Sequence, residues 1–93
     1  MDYDYEAILI RYREHYAHRA EEAEPGSIEQ QTYEYIVKWI DRNTTEPPEE
    51  RAFQLTMTFL SLAKSAMPLE ARAIYRQCGL DLNRDTGQEP WRF

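Results

Sequence analysis

Between Ala52 and Ala63 the chain reads AFQLTMTFLSLA, twelve residues without a charge in a sequence that is 30% charged. Wound as a helix, this stretch spreads Phe53, Leu55, Met57, Phe59, Leu60, Leu62 and Ala63 over more than half of the circumference. Gln54, Thr58, Ser61 and Ser65 fall on the remaining strip. A helix apolar over so much of its girth buries itself against two or more neighbours. The rest of the chain is therefore read as elements packed around it.

Upstream, Tyr5, Leu9, Tyr12, Tyr16, Ala20 and Ala23 recur at spacings of three and four, with Ile8 widening the stripe. That period predicts an amphipathic helix over about 2–24. Asp2, Asp4 and Glu6 lie in or near its first turn, where the helix dipole favours negative charge. Glu24-Pro25-Gly26-Ser27 ends it, because the residue before proline leaves the helical region and glycine permits reversal. Ser27 opens a second helix, 27–43, as a capping box with Gln30 reaching back. Its apolar arc runs from Tyr35 through Ile28, Trp39, Ile36, Ile40 and Tyr33 to Val37, about 200° of the wheel. Gln30, Glu34, Lys38 and Asp41 form the opposite stripe. Asn43 to Pro48 breaks the helix, and Pro47 and Pro48 suit the first turn of the third, 47–66.

Met67-Pro68 then interrupts, and Ala71, Ile74, Tyr75 and Cys78 predict a short fourth helix, 68–78. Gly79 reads as its C-terminal stop, with Leu80 placed to touch Tyr75 across the cap. Residues 79–93 read as an extended tail that docks through Leu80, Leu82, Trp91 and Phe93. The expected fold is all-α, a single domain 1–93 of about four helices with an extended C-terminal tail. The first three helices form an antiparallel bundle, and the fourth caps one end.

Composition bounds the setting. Ninety-three residues suffice for one core. A lone cysteine, Cys78, leaves no internal disulfide and fits a reducing compartment. The acidic N-terminus MDYDYEA lacks a secretory pattern, and no uncharged run approaches the ~20 residues that span a bilayer. A soluble cytoplasmic domain, with no membrane association, is expected. Residues 1–24 carry seven acids and three bases, 25–50 six and two, and 51–93 four and six, which sum to −6. Such an acidic chain repels nucleic acid, so direct nucleic-acid binding is disfavoured.

The sequence points to no catalysis, no cofactor and no metal. The three glycines, 26, 79 and 87, are turn punctuation rather than a phosphate loop. Glu14, His18 and Glu22 share a helix face beside His15. Carboxylate–histidine sites in bundles, however, need inward-facing motifs on two or more helices, and His18 lies opposite the Leu9 stripe. Cys78 falls on an apolar stripe at an expected helix C-terminus, which disfavours a thiolate. Arg72 and Arg76 share one face beyond Met67-Pro68, in a helix-turn-helix-like setting. That module would need a basic recognition helix, and the chain is acidic.

What remains is binding. Seven tyrosines and two tryptophans are generous for this length, and such residues gather at interfaces. Tyr5, Tyr12 and Tyr16 lie on the core stripe, whereas Tyr3 and Tyr33 sit off it or on its flank. The leading expectation is a non-catalytic protein–protein binding module, a small acidic adaptor, regulator or inhibitor of a larger protein. Its candidate contact residues are Tyr3, Tyr33, Val37, Arg72, Arg76, Trp91 and Phe93. One alternative is a structural homodimer paired through the wide arcs of helices two and three. Another is an acidic nucleic-acid mimic, of the kind phage-type inhibitors use, presenting Glu21, Glu22, Glu49 and Glu50 to a DNA- or RNA-handling complex. Two wide apolar arcs in so small a domain leave part of Tyr33, Val37, Met57 or Leu62 exposed.

Overall fold

The computed structural model describes residues 3–42, 45–66 and 68–87. They form four helices: α1 (Tyr5–Glu22), α2 (Ile28–Asp41), α3 (Pro48–Ser65) and α4 (Leu69–Asp85). Each start has a local cause. Asp4 caps α1 by accepting from the Ala7 amide at 3.0 Å, and Ser27 caps α2 by accepting from Gln30 N at 3.1 Å. Gln30 does reach back, but one residue beyond the cap. Its Oε1 accepts from Gly26 N at 2.8 Å, because Ser27 N is already donating to Glu24 O. Gly26 holds a φ of 80°, the left-handed turn that lets α2 fold back on α1. Pro48 occupies the first turn of α3 and Pro68 precedes α4, where amide donors have no helical partner.

The helices pair as two antiparallel hairpins, α1 with α2 and α3 with α4, and the hairpins pack face to face through α2–α4 and α1–α3. The assembly measures 40 × 27 × 20 Å. Between the hairpins lie Leu9, Tyr12, Tyr16, Ile36, Ile40, Leu55, Phe59, Tyr75, Cys78 and Leu82, all buried. Buried threonine hydroxyls are satisfied by carbonyls one turn back: Thr56 donates to Ala52 O and Thr86 to Leu82 O. Arg51 Nη2 donates to Ile40 O at 2.7 Å, tying the start of α3 to the end of α2.

The fourth helix departs from expectation. It does not stop at Gly79 but runs on to Asp85, so it lies along the whole of α3 instead of capping one end. A Cβ at Gly79 would stand 2.8 Å from Leu60 Cδ2, so this glycine serves close helix approach, not reversal. The glycine stop lies eight residues later, at Gly87, with φ 65°. Leu80 accordingly does not fold over Tyr75; it is 39% exposed. The remainder of the expected tail, residues 88–93 with Trp91 and Phe93, lies outside the described residues.

The uncharged stretch is not buried all round. Ala52, Leu55, Phe59 and Leu60 point inward, while Phe53 and Met57 are 44% and 47% exposed.

Candidate protein-binding surface

The sequence-derived contact residues scatter once folded. Tyr33 is buried, its ring stacked on Tyr16 at 5.9 Å and its hydroxyl accepting from Arg19 Nη2 at 2.9 Å. It belongs to the core. Tyr35, expected in the buried arc, takes the exposed position instead. Tyr3 lies 5.9 Å from Tyr5, ring to ring, with its phenol packed where a Cβ at Gly87 would stand. Arg72 is turned inward, its Nε donating to Ala66 O at 2.7 Å to close the end of α3. Arg76 alone of that pair is exposed, so the two do not make a phosphate-binding couple.

The four acids of the mimic alternative are exposed but divided. Glu49 and Glu50 line a hollow of ≈ 470 Å³ with Tyr5, Phe53 and Gln54. Glu21 stands sixteen residues along α1 from Tyr5, about 24 Å away at 1.5 Å per residue. Glu22 pairs with His18 Nε2 at 3.0 Å. Among the described residues no group of three or more His, Cys, Asp or Glu is placed to hold a metal ion. No helix among them is long and apolar enough to cross a membrane.

Cys78 is fully buried beside Tyr16. Burial pushes its thiol up to about 12, against a smaller downward pull from the neighbouring Tyr16 hydroxyl. The neutral thiol is an inert packing group. Burial likewise raises Tyr16 and Tyr12, and for Tyr12 the hydrogen bond to Asp85 adds to it.

Of the expected contact residues, Tyr33 and Val37 both line concave surfaces, and the one at Val37 is walled by alanines. On the outer side of the first hairpin, Ala17 and Ala20 of α1 and Val37 of α2 line a hollow of ≈ 360 Å³. Glu21, Gln30, Glu34 and Lys38 complete it. The two alanines keep the crevice open because neither side chain reaches across to α2. Gln30 Nε2 donates to Ala20 O at 3.4 Å, and Arg13 pairs with Asp41 at 2.6 Å, holding the helices in register. Gln30, Glu34 and Lys38 belong to the polar stripe of the sequence reading, which did not place them in this hollow. Only the pairing of α1 with α2 brings them beside Ala17 and Ala20.

Fold and surface together define a small four-helix domain made of two hairpins, with a charge-rimmed apolar hollow on one of them. No protein-family model, no curated protein and no solved structure matches this chain.

Proposed function

We propose that the protein is a non-catalytic binding module, an adaptor, regulator or inhibitor that holds a segment of a larger protein in the α1/α2 hollow. The observation that carries this reading is the composition of that hollow: methyl and isopropyl groups within, and Glu21, Glu34 and Lys38 around them. Such a site takes one aliphatic side chain and selects a basic neighbour through the two carboxylates. The inert Cys78 thiol supports a non-catalytic role, and the lone cysteine supports a reducing, cytoplasmic setting.

Affinity capture from native lysate with the wild-type chain and with Val37→Glu tests the reading. One stoichiometric partner is expected with the wild type, reduced about tenfold or more by the buried like charge in Val37→Glu. Far-UV circular dichroism should be unchanged between the two. Equal recovery by both chains, or no partner with either, overturns it.

A further inference from the structure

We infer that the outer face of the α3/α4 hairpin is an isologous interface with a second copy of this chain. The seam between the two helices is fixed by Leu60 against Gly79. To one side of it the residues are buried: Leu55 and Phe59 on α3, Cys78 and Leu82 on α4. On the other side Met57 and Leu80 emerge, 47% and 39% exposed. In an antiparallel pair the helical rotations mirror one another, so both lie on the same outer face. Large apolar side chains grouped on one face mark a contact surface.

Charge identifies the occupant. Glu50 lies on the same side of α3 as Met57, seven residues before it, and Arg76 lies one turn before Leu80 on α4. Counting from the Leu60–Gly79 contact, Glu50 and Arg76 stand about 20 Å apart along the hairpin. Their midpoint falls at the level of Met57. A two-fold axis through the seam there lays Glu50 of each copy against Arg76 of the other. The same rotation brings the Met57 side chains of the two copies together near the axis, with a Leu80 on either side. A surface that is acidic at one end, basic at the other and apolar between is complementary to itself when rotated, which is what an isologous dimer requires. This surface is separate from the α1/α2 hollow, and a dimer formed through it would carry two such hollows facing outward.

Sedimentation equilibrium of the full chain, from micromolar to sub-millimolar concentration, tests the arrangement. The wild type is expected to approach twice 11.1 kDa. Glu50→Arg and Arg76→Glu should each weaken self-association by about tenfold or more, since each sets like charges opposite one another. Mixed one to one, the two variants should dimerise again. In the mixed dimer the two substituted positions face each other with opposite charges, and the native Glu50–Arg76 pair is kept at the other contact. Met57→Glu, at an exposed position, should give a folded monomer by circular dichroism. A wild-type monomer throughout the range overturns the proposal, as does a dimer indifferent to all three substitutions. So does a mixture that associates no better than either variant alone.

Discussion

Helix α4 makes two kinds of seam. Against α3 it comes as close as backbones allow, with Gly79 under Leu60 and Phe59 and Tyr75 stacked at 6.3 Å. Against α1 the backbones stay apart and tyrosines bridge the gap. Tyr12 donates to the Asp85 carboxylate, Tyr16 stands beside Cys78, and the Tyr3 ring packs against Gly87. The first seam is held by shape alone. The second is held by rings of fixed length, two of which, Tyr12 and Tyr16, meet ionisable groups at Asp85 and Cys78. The two should therefore fail under different insults, bulk for one and pH for the other.

The largest effect is expected at the close seam. Gly79→Val places a branched side chain where even a Cβ meets Leu60 at 2.8 Å, and Leu60 is itself only 3% exposed. Overpacking of this kind costs about 3 kcal/mol. For a domain of this size that lowers the melting midpoint by about 12 °C or more. Gly79→Ala should change stability little, since about 1 kcal/mol of helix propensity offsets a milder clash. Differential scanning calorimetry at neutral pH reads both. A valine tolerated without loss would mean that Leu60 moves aside and that the seam is not close.

The alkaline limb isolates the other seam. Cys78, Tyr12 and Tyr16 all have raised pKa values in the fold, foremost through burial, with the thiol moved from 9.0 to about 12. Their neutral forms are favoured by the native state, so the stability they contribute is fully present below about pH 9. It is lost as pH climbs, because the unfolded chain ionises first. The thiol alone should account for about 2–3 kcal/mol by about pH 11. Denaturant midpoints should hold level to about pH 9 and then fall. In Cys78→Ala the fall should begin about one unit later, when the tyrosines of the unfolded chain start to ionise. An unchanged alkaline limb in Cys78→Ala would show that the thiol is not the first group to respond.

The same two seams explain which parts of the molecule were legible in the sequence. Helix number, class and the breaks at Pro25, Pro47 and Pro68 follow from local chemistry, and the structure repeats them. Gly79 misled because a glycine after an apolar stripe commonly ends a helix. Its other use, admitting a partner helix, depends on Leu60, nineteen residues earlier. The continuing stripe of Leu82, Asn83 and Thr86 is two-thirds polar, which disguised it further. Tyr33 and Tyr35 exchanged places because a wide arc does not say which flank the second hairpin covers. Arg72 looked like a surface cation until the last turn of α3, with its open carbonyl, stood beside it. The α1/α2 hollow was the least legible feature. Ala20 and Val37 belong to the apolar stripes and Gln30, Glu34 and Lys38 to a polar one, and only the pairing of α1 with α2 sets them side by side.

The smallest expected effect sharpens the contrast at a single hydroxyl. Tyr12→Phe keeps the ring that bridges α1 and α4 and removes only the bond to Asp85. At neutral pH this should cost about 1 kcal/mol, in the range of one partly buried hydrogen bond. Burial pushes the Asp85 carboxyl upward, but the bonds from Tyr12 and Arg84 outweigh it and leave the group below its ordinary 3.8. A carboxylate lowered in the fold contributes stability above its unfolded pKa, and that contribution is lost as pH falls through the folded value. Without the Tyr12 hydroxyl the folded value moves back up, so the variant has less of this stability to lose. The gap between wild type and Tyr12→Phe should therefore be widest near pH 7 and narrow below about pH 4. Urea midpoints on either side of that range read it directly. A gap of equal size at both would mean that the hydroxyl acts through packing and not on the ionised carboxylate, and the tyrosine seam would then be a matter of shape, like its neighbour.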